Sequence, residues 1–467
     1  MSEFRKATKL SEVASVVDLE PLKSGDDRYF DMAAGRGRTN PLAHMRQCLL
    51  ENDAGAGRFA KIAFTGHRGC GKTTELLRFE HDVSDRFTPI HVVAEEALLG
   101  DYDYTDLFLW LVDELMRQFE RTGTPLDASW ADDVANWFAE VTLKNEKEVT
   151  SQTSIDTEAS AGAKPSLFGF SLGILARIKS MVVGSTKRRA EIRLDLQKQS
   201  FELVRLVNFL LDRAHETLRR YNKPANLLIV VDNLDRLSPE VSDVLFFKNG
   251  EFLKQLNAHL IYTVPIATVL APNHIGKVFN NKYTLPMVKV RHETGRANTV
   301  GLDALQDTIE QRLSIDGVFT SRQMVRKLAE MSGGNIRDFM RLVQIAQRTA
   351  IVDGKAKIDA ATVSSTVRGM RLEYEQILIP GRIYYPLLAE IHRTKADGYN
   401  DLEGVDPEKA QTYRAFFSQF LFNGSVLEYN GDKMWYDVHP VIQEIEAFKK
   451  ALKDVQHPSQ DKAQSRR

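Results

Sequence analysis

The hydrophobic pattern changes character along the chain. In the first part, short apolar runs alternate with amphipathic segments. Residues 60–65 (AKIAFT), 89–94 (PIHVVA), 226–231 (NLLIVV) and 259–264 (HLIYTV) are such runs, too short for helices. They predict buried strands, because a strand covered on both faces shows no polar alternation. Helical patterns lie between them. Residues 41–52 place Leu42, Met45, Cys48 and Leu49 on one face, and residues 72–82 read as helical. Residues 103–122 offer Leu107, Leu109, Leu111, Val112, Leu115 and Phe119 to a core. Residues 187–220 predict one long charged helix whose buried stripe is Leu194, Leu196, Phe201, Leu203, Leu206, Phe209 and Leu210. Strands alternating with helices predict an α/β layer on a mostly parallel sheet.

From about residue 300 the strand pattern stops. Helices are predicted at 301–314, 320–331, 335–350 and 359–376. Beyond residue 380, two or three helices precede VLEYNGDKMWYDV. There Asn430-Gly431 separates two aromatic-rich alternating runs, a hairpin signal. Helices followed by a hairpin predict a small winged-helix module. The domain reading is an N-terminal arm over 1–28, a core over 29–298 with an insert around 145–190, a helical lid over 299–376, a winged-helix-like domain over 377–456 and a flexible tail over 457–467. The insert is expected because residues 145–165 are nearly free of large apolar groups.

Composition narrows the class. The 467 residues suggest about two to four domains. The chain is 43% hydrophobic and 27% charged, enough to bury real cores. Its 62 basic and 63 acidic residues leave a formal charge of −1, so no global field draws it to DNA or an anionic membrane. Two cysteines, Cys48 and Cys70, exclude a disulfide framework and a cysteine-built zinc site. The first residues carry no apolar leader segment. The most apolar stretch, Ser166–Gly184, is broken by Arg177 and Lys179 and makes a poor membrane span. A cytoplasmic location with no membrane span is expected.

One motif carries chemistry by itself. Residues 66–73 are Gly66-His67-Arg68-Gly69-Cys70-Gly71-Lys72-Thr73, the spacing G-x-x-x-x-G-K-[ST] between a predicted strand and a predicted helix. Glycines let the backbone curl so that several N–H groups face one anion. The positive end of the following helix adds to the attraction. Lys72 is expected at the β- and γ-phosphates of ATP, Thr73 at the Mg²⁺ ion, and Thr74 among the nucleotide-binding residues of the loop.

Other candidates depend on that motif. The apolar run Leu227–Val231 ends in Asp232, whose carboxylate can meet the water shell of Mg²⁺. An isolated Asp there reads equally well as a turn or cap residue. Asn233 follows and accepts no proton at neutral pH. Asp235 is the nearest carboxylate able to polarise an attacking water, or else a charge partner for Arg236. Thr263, at the end of its run, is either a γ-phosphate or water contact or an ordinary strand threonine. Gly333-Gly334-Asn335-Ile336-Arg337-Asp338 opens a helix, and the planar fork of Arg337 suits phosphate. Without the other motifs Arg337 would read as a solvated helix residue.

Together these residues resemble the AAA+ superfamily over about residues 30 to 375. The resemblance is to initiator ATPases of the Orc1/Cdc6 type and to STAND-type and KAP-type P-loop ATPases of bacteria. MSGGNIRDFMRLVQIAQRTAIVDGKAKIDAATV is similar to the initiator lid, with Gly334-Asn335-Ile336-Arg337 on its sensor 2 motif. VVDNLDRL is similar to the STAND and KAP Walker B strand. The resemblance implies an α/β P-loop core, an all-α lid, ATP and Mg²⁺ held between them, and a winged helix whose placement follows the nucleotide. It implies adenine or ribose contacts from the backbone of Tyr29–Arg38. It also implies a homo-oligomer or protein partner, and an arginine finger for which Arg291 and Arg296 stand at suitable positions. Many such ATPases carry Glu where this chain has Asn233, which points to a slowly hydrolysing switch. A similarity to bacterial ATPases of phage-defence loci implies a signalling task there.

The alternative is a DNA-binding initiator- or transposition-type ATPase. A winged helix invites that reading, but residues 371–454 hold 10 basic and 14 acidic residues. DNA binding draws heavily on phosphate neutralisation. Arg177, Lys179, Lys187, Arg188, Arg189 and Arg193 form the one basic cluster. It reads as a docking site for nucleic acid, an acidic partner or a membrane surface, or as a solvated helix start. Nucleic-acid binding stays open but is not favoured.

Overall fold

The computed structural model describes residues 4–37, 40–52, 54–143, 169–270, 274–378, 383–397, 407–430 and 433–456. The expected insert over 145–165, the tail over 457–467, Arg38 and the hairpin residues Gly431 and Asp432 lie outside them. The strands are β1 (Lys61–Thr65), β2 (Phe87–Val93), β3 (Asn226–Asp232), β4 (His259–Val264), β5 (Asn281–Thr284), β6 (Val426–Tyr429) and β7 (Trp435–Val438). Helices of ten residues or more, in chain order, begin with α1 (Pro41–Glu51), α2 (Lys72–Asp82), α3 (Tyr104–Arg121), α4 (Ala128–Thr142), α5 (Gly169–Gly184), α6 (Thr186–Gln197) and α7 (Ser200–Arg220). They continue with α8 (Thr299–Glu310), α9 (Arg322–Met331), α10 (Ile336–Val352), α11 (Ala360–Leu378), α12 (Tyr384–Thr394), α13 (Pro407–Asn423) and α14 (Glu446–Gln456).

The chain divides into two compact units. The first comprises Ala43–Phe64 and Phe79–Tyr283, and the second Met1–Leu42, Thr65–Arg78 and Thr284–Arg467. The first unit is the α/β layer that the pattern predicts. Its five-stranded sheet has the order β2-β3-β4-β1-β5. β2 runs parallel to β3 from Phe87↔Asn226 to Val93↔Asp232, and β3 parallel to β4 from Leu228↔His259 to Val231↔Tyr262. Strands that run parallel in space but lie far apart in sequence need helical crossovers, and α3 to α7 lie between β2 and β3. The core positions expected on α3 are all buried. Its start is fixed by Asp103, whose carboxylate accepts from the Thr105 N–H while Asp106 accepts from the Asp103 N–H, a reciprocal cap.

Two readings of this unit need correction. The long helix expected over 187–220 is two helices, α6 and α7, broken at Lys198 and Gln199. One helical phase therefore does not carry across the break. Leu194 is 54% exposed and Phe201 82% exposed, although both were placed on the buried stripe. β5 was missed. It is four residues long and only partly buried, so it lacks the apolar run that marks the other strands.

The second unit is helical. Helices α8 to α11 match the predicted series within a few residues at each end. The N-terminal stretch read as an arm is packed within it. Val13 and Val17 are fully buried, the Leu10 carbonyl accepts from Gln347 Nε2 (3.0 Å), and the Val17 carbonyl accepts from Gln344 Nε2 (2.6 Å). Ala7, Leu10, Val13, Val16, Val17 and Leu22 are buried there, but anchors scattered over a mostly polar stretch give too weak a period to detect. At the C-terminal end, β6 and β7 pair antiparallel from Val426↔Val438 to Tyr429↔Trp435. Phe417 and Phe420 of α13 are buried, so they serve as core and not as a recognition surface.

Candidate nucleotide site

The P-loop lies in the second unit, between the end of β1 and the start of α2. Gly66, Gly69 and Gly71 have φ of 152°, 86° and 99°, a conformation that side chains disfavour. A Cβ on Gly66 would lie 2.8 Å from the Leu285 carbonyl oxygen, and one on Gly69 only 2.4 Å from Asn335 Oδ1. The glycine spacing is therefore required by close packing as well as by backbone torsion.

Each carbonyl from Gly66 to Gly71 accepts a hydrogen bond. Lys72 Nζ donates to the Gly66 and His67 oxygens at 2.8 and 2.9 Å. Asn335 Nδ2 donates to Arg68 (2.9 Å), the Arg337 N–H to Gly69 (3.1 Å), Arg36 Nη2 to Cys70 (2.9 Å) and the Glu75 N–H to Gly71 (3.1 Å). A trans peptide points its C=O and N–H in opposite directions. Anchoring the carbonyls therefore fixes the direction of the loop's N–H groups too.

The anchors come from several elements. Asn335 caps α10, with Oδ1 accepting from the Asp338 N–H, so the start of this lid helix rests on the loop. Arg337 reaches the loop through its backbone, a contact that side-chain reasoning does not anticipate. Arg36 is only 4% exposed, and its other terminal nitrogen donates to the Pro286 carbonyl at 2.8 Å. Glu75 lies 3.5 Å away as its counterion. Burial pushes the Glu75 carboxyl up, opposed by Arg36 and Arg78. Tyr29 donates to Glu75 at 3.3 Å and carries Arg78 over its ring.

His67 ties the loop to the C-terminal hairpin. Its Nε2 accepts from the Glu428 N–H of β6 at 2.5 Å, which places the ring proton on Nδ1. Burial, with Lys72 and His439 adding to it, pushes His67 down to about 3, so the ring is neutral. The hairpin also grips the lid, since Tyr429 Oη donates to the Gly333 carbonyl at 2.7 Å. Beside His67, Arg68 and Arg337 lies a cavity of about 410 Å³, bounded also by α10, α11 and the end of α13.

The donor set suits a polyphosphate with Mg²⁺. A glycine loop opens a helix, an ammonium faces two carbonyl oxygens that phosphate oxygens can replace, and the half-buried Thr73 offers a hydroxyl. Thr74 is used differently, because its Oγ1 accepts from the Leu22 N–H at 3.1 Å.

The remaining candidates lie in the first unit. Asp232 ends β3 and is buried. Its Oδ1 accepts from the Asn233 N–H at 2.7 Å, and its Oδ2 lies 3.9 Å from His91 Nε2. His91 Nδ1 is 2.6 Å from Glu80 Oε1. Burial lowers the His91 pKa, but Glu80 and Asp232 outweigh it and hold the ring above its usual range. Asp235 is half-buried, and Arg236 pairs with Glu96 at 3.1 Å. Thr263 is fully buried, and its hydroxyl donates to the Val231 carbonyl at 3.3 Å, as a strand threonine does.

Most of the basic cluster is engaged with acids of its own unit. Lys179 pairs with Asp113 (2.6 Å), Arg188 with Glu191 (2.8 Å), Arg189 with Asp101 (2.7 Å), and Arg193 with Asp101 and Asp106 (3.1 and 2.5 Å). Arg291 pairs with Glu330 at 2.9 Å. No group of three or more potential metal ligands of the His, Cys, Asp or Glu type occurs among the described residues. No helix there is long and apolar enough to cross a membrane.

No family model and no curated protein matches the chain. Solved structures do. The Orc2 protein of Aeropyrum pernix, in ADPNP and ADP complexes, is 14% identical, with 95% of this chain and 98% of that one covered and a TM-score of 0.39. The Walker-type ATPase PABY2304 of Pyrococcus abyssi is 13% identical, with 94% and 99% covered and a TM-score of 0.43. The RuvB Holliday junction branch migration motor of Thermotoga maritima is 13% identical, with 91% and 100% covered and a TM-score of 0.35.

Proposed function

We propose that this protein binds ATP with Mg²⁺ at the P-loop, hydrolyses it slowly, and passes the state of the loop to its lid and C-terminal hairpin. The observation that carries this reading is the set of bonds on the loop backbone. Asn335 and the Arg337 N–H hold it from the lid helix, and His67 bonds the hairpin. A ligand shifts a conformational equilibrium only through contacts that differ between the two states. Phosphates that draw Lys72 away from the Gly66 and His67 carbonyls change contacts in this same network.

In this reading Lys72 and the loop N–H groups bind the phosphates, and Thr73 and Asp232 hold Mg²⁺, which neutralises developing charge when bound. Arg337 closes on the phosphates, and Asp235 polarises water. Thr263 contributes only if its hydroxyl leaves the Val231 carbonyl. The output is oligomerisation or release of a protein partner, with bacterial phage defence as the setting the motif resemblance suggests. The DNA-dependent alternative draws on the basic segment 177–193, where the pairing described above uses much of the charge.

Phosphate release from ATP, with and without duplex DNA and with Lys72→Ala as the blank, tests these readings. Slow release indifferent to DNA supports the switch. Release stimulated by DNA supports the initiator-type alternative. No ATP binding by the wild type overturns both.

A further inference from the structure

We infer that Arg36 is a positioning residue for the P-loop, locking the peptide between Cys70 and Gly71 in the orientation that phosphate binding needs. The inference rests on the nucleotide reading above and adds a residue to it that no motif marks. Arg36 Nη2 donates to the Cys70 carbonyl at 2.9 Å, and Nη1 donates to the Pro286 carbonyl at 2.8 Å. The guanidinium is buried and lies 3.5 Å from Glu75. One rigid fork thus spans the loop and Pro286, two residues past β5, with its charge compensated from α2.

The consequence follows from peptide geometry. The Cys70 carbonyl and the Gly71 N–H belong to one planar trans unit and point in opposite directions. While Arg36 holds the oxygen, the Gly71 N–H is turned to the other side. Gly71 has φ of 99° and no side chain to resist rotation, so this peptide is free to flip unless something holds it. A flipped peptide would aim its N–H at the guanidinium and present a carbonyl oxygen where an anion must bind. Arg36 opposes both. Lys is no substitute, because a single ammonium does not reproduce a planar two-pronged bridge.

The test uses the full chain and MgATP and MgADP as probes. Titration calorimetry gives the affinities of the wild type, Arg36→Met and Arg36→Lys, at a temperature where circular dichroism shows each to be folded. Arg36→Met is expected to weaken both nucleotides by about tenfold or more, the size of one hydrogen bond to a charged group. Arg36→Lys is expected to fall between it and the wild type. A merely structural role would lower the melting temperature without moving the affinity of folded protein. The Gly71 amide resonance, followed with ¹⁵N-glycine labelling, should shift on MgADP binding in the wild type and not in Arg36→Met. Wild-type affinity in folded Arg36→Met overturns the inference. If Arg36→Met does not fold, Arg36→Lys decides alone, and wild-type affinity there overturns it. A wild type that binds neither nucleotide refutes the nucleotide reading itself and is told apart by that result.

Discussion

Asn335 has two tasks, and substitution can separate them. Its Oδ1 caps α10 by accepting from the Asp338 N–H at 3.2 Å, and its Nδ2 donates to the Arg68 carbonyl at 2.9 Å. Replacing a helix cap by Ala costs about 1 kcal/mol. Leaving the loop carbonyl without its donor costs about 1 kcal/mol more. Asn335→Ala should therefore destabilise the start of α10 and its seat on the loop by about 2 kcal/mol together, or about 30-fold in the local opening equilibrium. Asn335→Ser keeps an oxygen for the cap but loses the amide donor, so it should cost about 1 kcal/mol, roughly fivefold. Hydrogen exchange is the suitable assay, because opening here is local and need not follow global unfolding. The amides to watch are Arg337, bonded to the Gly69 carbonyl, and Phe339, bonded to the Asn335 carbonyl. Both should exchange faster in the order wild type, Ser, Ala. Exchange within twofold of wild type in Asn335→Ala would show that the lid is held by something other than this side chain.

Three further predictions concern the loop and its chemistry. Lys72→Ala should abolish ATP binding while the circular dichroism spectrum is unchanged; unaltered ATP affinity would sink the nucleotide site. Asp235→Ala should slow phosphate release by at least about tenfold and change ATP affinity less than threefold, as expected for a general base; undiminished release would make Asp235 structural. His67 gives a pH signature. Its folded value of about 3 lies below the usual 6.5, so between those values the unfolded chain binds the extra proton. The neutral ring carries no such penalty above pH 6.5. Stability is lost as pH falls below that, by up to about 1.4 kcal/mol per pH unit. His67→Gln, which keeps an acceptor for the Glu428 N–H, should flatten the acid limb of a denaturation-midpoint plot, and an unchanged limb would mean that His67 does not contribute.

The parts legible from sequence are those whose signal is local. β1, β3 and β4 announce themselves as apolar runs, and the P-loop as a spacing of glycines. Helices α8 to α11 follow a clean period. What was not legible depends on distance in space. Arg36 stands 34 positions before the carbonyl it holds, in a stretch the resemblance marks only for backbone contacts, and the burial of its side chain is visible only once the fold is known. His67 falls on a variable position of the motif, so its bond to Glu428, 361 positions away, left no trace in the spacing. The packed N-terminal stretch is hidden for a similar reason, since its buried residues, Val13 and Val17 among them, are scattered through a polar run. The break after α6 was missed because Leu194 and Phe201 are apolar but exposed, and a hydrophobic stripe assumes that apolar means buried.

Asn233 shows how local conformation and chemistry constrain one another. It has φ of 68°, in the left-handed region that Asn tolerates far better than most residues. Its N–H donates to Asp232 Oδ1 at 2.7 Å. A Glu there would bring a second carboxylate beside Asp232. It would also cost about 1 kcal/mol or more of backbone strain, because non-glycine residues without a short polar side chain resist this region. One oxygen of Asp232 is thus fixed by its own neighbour, and the other faces the His91–Glu80 pair. The left-handed conformation at Asn233 therefore disfavours a Glu beside Asp232. In the proposed function, water activation then falls to Asp235, three positions after Asp232, as suits a protein that holds a nucleotide state longer than it takes to turn one over.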